Sequence, residues 1–142
     1  MWQRSVSILT PAPVASVWQL FEDVQGWPVW NAGIESISIA GPFADGTEFA
    51  MKIPGQEPFT SRLLQVEPQR RFVDETIVGD VCVRVDHRVE RTPDLHTRIT
   101  YTATVTGPGA EEIGAMVTED FPAVLEALAA RAQRARAEIA RA

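Results

Sequence analysis

His87 has the side chain best suited to acid–base chemistry in this chain. It lies between Val85 and Val89 in a stretch where apolar and charged residues alternate, which predicts an imidazole on the apolar face of a β-strand. A neutral imidazole with a pKa near ~6.5 acts as a general base or acid. The simpler alternative is a core histidine that hydrogen-bonds to a neighbouring strand or a water, and the sequence leaves both open.

Tyr101 lies on the corresponding face of the next alternating stretch. In one register it is directly opposite His87, and in another the two residues are diagonal neighbours, roughly 7–8 Å apart. Either register lets one small ligand touch both side chains. An enzyme would use His87 to remove a proton next to a ketone, while Tyr101 donates a hydrogen bond to the enolate oxygen. Otherwise Tyr101 is a wall residue whose hydroxyl bonds the backbone or water.

Asp74, between Phe72 and Thr76, is a third titratable candidate. The pattern leaves open which face of its strand carries the carboxylate. A buried carboxylate requires a partner or has a raised pKa, and either would make Asp74 a functional candidate.

The composition argues against several kinds of partner. The formal net charge of −6 disfavours nucleic acids and anionic membranes, which bind to basic patches. Cys82 is the only cysteine, so neither an internal disulfide nor a zinc-binding cysteine cluster can form. The chain contains no metal or cofactor motif, and we expect neither group.

The ends of the chain give expectations about location and assembly. The first five residues lack the apolar segment of a signal peptide, and no run approaches the ~18 apolar residues of a membrane span. We therefore expect a cytoplasmic protein without integral membrane association, for which a homodimer is one compatible state. The dense group of arginines lies at the end of the last predicted helix, where cations complement the helix dipole: Arg131, Arg134, Arg136 and Arg141.

The elements that must position these residues are mostly β-strands. Val6 and Ile8 alternate with serines in a first strand, and Val66 is out of phase in a later one, which indicates a bulge. Short connections between the strands predict an antiparallel meander. Turn residues separate six further candidates: Ile34–Ala40, Thr47–Ile53, Phe59–Val66, Phe72–Ile77, Val81–Glu90 and Thr97–Thr106.

Apolar residues recur at helical spacing in two segments of the chain. Between the first two strands, a short amphipathic helix begins after Pro13 and is followed by a helical turn at Trp27–Asn31. A long helix from about Ala110 to Ala142 closes the chain. Pro122 should kink this helix near Thr118–Glu119, or restart it with Asp120 as the N-cap.

The order of these elements resembles the START-like helix-grip superfamily, and the polyketide cyclase/dehydrase-like branch in particular. The resemblance covers nearly the whole chain, taken as one domain over 1–142, and implies an α+β fold in which a curved, seven-stranded antiparallel sheet grips a long C-terminal helix. Members bind lipids, sterols or polyketides between sheet and helix, and some are cyclases, carriers or protein-interaction modules. No catalytic residue set is shared across the branch. The resemblance is carried by Ala12–Trp18, Trp27–Asn31, Gly46–Phe49, Val66–Phe72 and Thr97–Tyr101.

The resemblance and the inward faces together favour a binding protein for a small apolar ligand. Trp27 and Trp30 form a gate or an aromatic wall in this interpretation, and simply pack the short helices in the alternative. A cyclase or dehydratase that uses His87 and Tyr101 is the second hypothesis, and a protein-interaction module is the third. The expected ligand contacts are Trp27, Trp30, Phe49, Met51, Leu63, Phe72, Val85, His87, Tyr101, Ala103, Met116 and Phe121.

Overall fold

The computed structural model describes the backbone of residues 1–141 and the side chains of residues 1–134. The side chains of Arg136 and Arg141, and all of Ala142, lie outside the described part. Seven strands form one antiparallel, curved sheet in the order β1-β7-β6-β5-β4-β3-β2. Their bounds are β1 Trp2–Thr10, β2 Ser36–Ile39, β3 Glu48–Lys52, β4 Phe59–Glu67, β5 Arg71–Val78, β6 Val81–Arg91 and β7 Thr97–Thr106.

Two short helices separate β1 from β2, and two consecutive helical segments, which together form the bent C-terminal helix, follow β7. The first pair is α1 (Val14–Glu22) and a 3₁₀ helix (Val24–Val29). The second pair is α2 (Ala110–Thr118) and α3 (Phe121–Arg141). None of the helices among the described residues is long and apolar enough to cross a membrane.

The C-terminal helix is interrupted where Pro122 predicts. Of the two sequence alternatives the structure adopts the restart, because α2 ends at Thr118 and α3 begins at Phe121, directly after Asp120. The Asp120 carbonyl oxygen accepts a hydrogen bond from the Val124 N–H at 2.9 Å, and this bond closes the first turn of the new helix. Pro122 is tolerated there because the first N–H groups of a helix have no intrahelical partner.

The register between β6 and β7 settles the relation of His87 to Tyr101. The two residues are directly paired, and Phe72 of β5 is paired with His87 on the other side. Directly opposed residues share one face of the sheet, so Phe72, His87 and Tyr101 form a row across three strands. The imidazole stacks on the Phe72 ring with 3.9 Å between centroids and meets the Tyr101 ring edge-on at 4.5 Å.

The phase break in the fourth strand is a β-bulge. The pairing of β4 with β5 slips between Leu63 and Gln65, which leaves Leu64 as the extra residue. Downstream of the slip, Val66 is paired with Phe72 and packs against the core. Upstream of it, Leu63 is paired with Asp74, which places the Asp74 side chain on the inner face as well.

Candidate ligand-binding cavity

The concave face of the sheet and the α2–α3 segment enclose a cavity of about 870 Å³. Ligand pockets for small molecules occupy roughly 300–1,000 Å³, so the volume suits one such molecule. Exposed residues mark the opening on two sides. Gln56–Pro58 lies between β3 and β4, and Met116, Glu119 and Asp120 lie around the α2–α3 junction.

Most of the expected ligand contacts line this cavity. Leu63 and Ala103 do not: both are fully buried in the core and are covered by neighbouring side chains. Met116 lines it but is 62% exposed, so it belongs to the opening rather than to the interior. The other expected residues on the wall are Trp27, Trp30, Phe49, Met51, Phe72, Val85, His87, Tyr101 and Phe121.

The wall is unusually aromatic around Phe72. Its ring stacks with Trp27 at 5.8 Å and meets Phe21 edge-on at 5.0 Å. Trp27 donates its indole N–H to the Phe21 carbonyl at 3.0 Å, which fixes the ring in the wall. Trp27 and Trp30 line the cavity and are only 5% and 6% exposed, which agrees with both the aromatic-wall and the packing interpretations.

His87 contacts the cavity as a neutral ring. Its Nδ1 lies 3.2 Å from the Phe72 carbonyl oxygen, which can only accept, so the bond requires the proton on Nδ1. Burial lowers the pKa of His87 to about 3. In this tautomer Nε2 is unprotonated and can accept a hydrogen bond, and it lies 3.9 Å from Oδ2 of Asp74.

Asp74 is the residue whose importance the sequence left undecided. Its carboxyl group lines the cavity and accepts no hydrogen bond from the described residues. Burial raises its pKa from 3.8 to about 7, so the group exchanges its proton near neutrality. One available signal was the position of Asp74 two residues after Phe72, because period-two alternation places both on whichever face Phe72 takes.

Tyr101 supplies a hydroxyl to the same place. The residue is 4% exposed, and its hydroxyl has no hydrogen-bond partner among the described residues. Burial raises the pKa of Tyr101, and the nearby carboxylates of Asp74 and Asp120 raise it further. The phenol therefore stays protonated. Asp74, His87 and Tyr101, here called the polar cluster, thus offer a titrating carboxyl, a neutral acceptor and a donor.

The loop residues of the opening could not be identified from alternation. Three acidic residues at the opening, Glu57, Glu119 and Asp120, are here called the acidic rim. They lie outside the strands, and the tertiary fold places them around the same cavity although Glu57 is far from the other two in the sequence. Burial raises the pKa of Asp120. Cys82 lies away from the cavity, where its thiol donates to Glu75 at 3.4 Å. Within the described part of the chain, no three His, Cys, Asp or Glu side chains are arranged to hold a metal ion.

Comparison with known proteins assigns the chain to a family. The family described as polyketide cyclase/dehydrase and lipid transport matches residues 1–133, and the chain belongs to it. No curated protein sequence matches the chain significantly.

Solved structures share the fold at low sequence identity. The aromatase/cyclase Zhui from Streptomyces sp. R1128 superimposes with a TM-score of 0.74 at 18% identity, covering 94% of each chain. A START superfamily protein from Mycobacterium smegmatis superimposes with a TM-score of 0.74 at 15% sequence identity, and the match covers 93% of this chain and 97% of that one. A point mutant of norcoclaurine synthase from Thalictrum flavum, in complex with a transition-state analogue, superimposes with a TM-score of 0.76 at 14% identity, and the match covers 95% of this chain and 96% of that one. These likenesses establish the helix-grip fold.

Proposed function

We propose that the protein binds one small, mainly apolar molecule in the cavity between the sheet and the α2–α3 segment. The observation that carries this proposal is the cavity itself, about 870 Å³ with an aromatic wall and a few buried polar groups. Binding sites for small molecules have this composition, because apolar walls provide affinity and a few polar groups fix orientation. Membership of a family of cyclases, dehydrases and lipid-transport proteins supports it.

The wall is large enough for measurable affinity. A ligand and wall that together lose about 500 Å² of apolar surface gain roughly 12 kcal/mol at 25 cal/mol per Å². Loss of rigid-body freedom removes at least about 4 kcal/mol of that gain and leaves about 8 kcal/mol, so a dissociation constant in the micromolar range is expected for a ligand with no polar match. A tighter ligand must also satisfy the polar cluster.

The test uses the neutral fluorophore N-phenyl-1-naphthylamine, whose emission rises in an apolar site. Val85 lies on the cavity wall, so Val85→Trp should fill the site and abolish the fluorescence increase, with Val85→Phe as the smaller step that retains the fold. Thr100→Trp on the outer face of β7 is the matched control and should bind the dye normally. Equal dye binding in all variants would contradict the proposal.

An acid–base enzyme is the second candidate, and the convergence of the polar cluster favours it. The sequence hypothesis made His87 the base, but a ring with a pKa of about 3 is a weak base, whereas Asp74 at about 7 is matched to neutral pH. Asp74 would take a proton from the carbon next to a ketone. The electron pair would move to the carbonyl oxygen, where Tyr101 donates a hydrogen bond.

This second candidate is tested by deuterium exchange at the carbon next to the carbonyl of 1-tetralone, followed by NMR in D₂O. Exchange catalysed by the protein should be lost in Asp74→Asn and retained in Glu48→Gln, whose side chain is exposed in β3. Unchanged exchange in Asp74→Asn would exclude Asp74 as the base. Three expectations from the sequence stay predictions: a cytoplasmic location, a homodimer and the lack of nucleic-acid binding. The interaction-module hypothesis is the least supported of the three functions, because the interior is an open cavity and is not filled by side chains.

A further inference from the structure

The charged groups that line the cavity are all acidic. The chain has 13 lysines and arginines, yet none of those whose side chains the structure describes lines the cavity, whereas Asp74 and the acidic rim do. Two basic side chains of the sheet are paired with carboxylates outside the cavity: Lys52 with Glu35 at 2.6 Å and Arg84 with Glu75 at 2.8 Å. His87 supplies no compensating positive charge near neutral pH, because burial lowers the pKa of its ring to about 3. The cavity is therefore negative from its opening to its polar cluster.

Among the described residues, Asp74 has no hydrogen-bond partner that would favour its charged form. The one ion-pair contact found for it in this part of the chain is His87 Nε2 at 3.9 Å, which is too far for a direct hydrogen bond. A buried carboxylate without hydrogen bonds is unfavourable unless a cation neutralises it. Tyr101 is 4% exposed, its hydroxyl has no hydrogen-bond partner in the described part of the chain, and it lies close enough for the charge on Asp74 to raise its pKa.

The spacing of these atoms fits one donor nitrogen between two acceptors. A nitrogen about 2.9 Å from both Asp74 Oδ2 and His87 Nε2 would span their 3.9 Å separation with an angle near 85° at the nitrogen. An ammonium group has three N–H donors and a positive charge, so it satisfies both acceptors and can offer the third proton to the Tyr101 oxygen. A carboxylate or phosphate in the same place would meet acceptors and negative charge.

We propose, building on the binding function above, that the ligand is an apolar amine whose ammonium group is bound by Asp74 and His87 while its hydrocarbon part lies against the aromatic wall around Phe72. The acidic rim attracts the same cation towards the opening. The groups that face Asp74 or the path to it are His87 from β6, Tyr101 from β7, Glu57 from the β3–β4 connection, and Glu119 and Asp120 from the α2–α3 junction.

The test compares three probes of nearly equal shape: 2-(2-naphthyl)ethylamine, 2-(2-naphthyl)ethanol and 3-(2-naphthyl)propanoate, titrated by calorimetry at pH 7.5 and low salt. The amine should bind at least about tenfold more tightly than the alcohol, and the propanoate should bind least. Asp74→Asn keeps the shape of the side chain and should remove the preference for the amine. Glu48→Gln, on the exposed strand β3, should keep it.

Proton release gives a second readout that does not depend on comparing probes. Because an ammonium ion favours the ionised form of Asp74, binding of the amine near pH 6.5 should release protons, so the measured heat should differ between phosphate and imidazole buffers. That difference should vanish in Asp74→Asn.

The outcomes separate the two proposals. If the alcohol and the propanoate bind the wild type as tightly as the amine does, and none of the three binds Val85→Trp, the amine inference is overturned and the binding function stands. If the preference for the amine persists in Asp74→Asn, the assignment to Asp74 is overturned. If no probe, including N-phenyl-1-naphthylamine, binds the wild type, both proposals fail.

Discussion

Asp74 and His87 should affect the pH dependence of folding in opposite directions. Burial raises the pKa of Asp74 from 3.8 to about 7, so between these values the folded protein holds a proton that the unfolded chain has released. Stability contributed by Asp74 is therefore lost as the pH rises through this window. Burial lowers the pKa of His87 from 6.5 to about 3, so the unfolded chain holds the extra proton there, and stability is lost as the pH falls.

The two effects nearly cancel in the wild type and should become visible when either residue is replaced. One proton of difference changes the unfolding free energy by about 1.4 kcal/mol per pH unit. Relative to the wild type, Asp74→Asn should gain stability as the pH rises from 4.5 to 7, by up to about 3 kcal/mol. His87→Gln should change in the other direction, gaining up to about 3 kcal/mol as the pH falls from 6.5 to 4.5, on top of a constant loss from its missing contacts.

Urea unfolding followed by tryptophan fluorescence at half-unit pH intervals from 4.5 to 8 measures both differences. Subtracting the wild-type curve removes the contributions of the other carboxylates, which all three proteins share. Parallel curves for the wild type and Asp74→Asn would refute the argument, since they would mean that the Asp74 carboxyl is as well solvated in the folded state as in the unfolded chain.

Two further predictions concern the packing of α2, which borders the cavity opening. A methyl group at Gly114 would collide with the Trp2 ring, so Gly114→Ala should lower the free energy of unfolding by about 1–2 kcal/mol, measured by urea unfolding. In a Trp2→Leu background the collision is absent, and the same substitution should raise the free energy of unfolding by up to about 1 kcal/mol, because alanine favours the helix more than glycine does. Arg4 donates to the carbonyl and hydroxyl oxygens of Thr118 at 3.1 and 3.2 Å, so Arg4→Met should cost about 1–2 kcal/mol by the same assay, whereas Arg98→Met at an exposed position should cost less than about 0.5 kcal/mol.

The strands and their pairing were largely predictable because β6 and β7 carry charge on one face and apolar residues on the other. A one-residue slip would bury Arg88 and expose Val89, so the alternation restricts the register to few choices. The phase break at Val66 likewise indicated the bulge that the structure places at Leu64. These signals are local, and they follow from a sheet with one solvated face.

The site was less predictable because its properties depend on what covers each inward residue. Ala103 and Leu63 are inward yet lie beneath core side chains, while Asp74 is inward and faces open space. Period-two alternation treats all three alike. The acidic rim comes from connections far apart in the sequence, so nothing in the local pattern of Glu57 indicates that it lies at the same opening as Asp120.

Asp74 and the open cavity both lower the stability of the folded protein, and neither is explained by folding alone. A carboxyl group with a pKa near 7 that accepts no hydrogen bond from the described residues makes the folded state less stable at neutral pH than an isosteric amide would. An open cavity of about 870 Å³ is a second cost, since filling it with side chains would add buried contacts. Both costs arise at the same cavity, since Asp74 is one of its lining residues. An occupant with an apolar body and a cationic end would remove both at once, because it fills the space and neutralises the carboxylate. Neither feature contributes to folding, so their coincidence at one site is the strongest structural argument for a specific ligand.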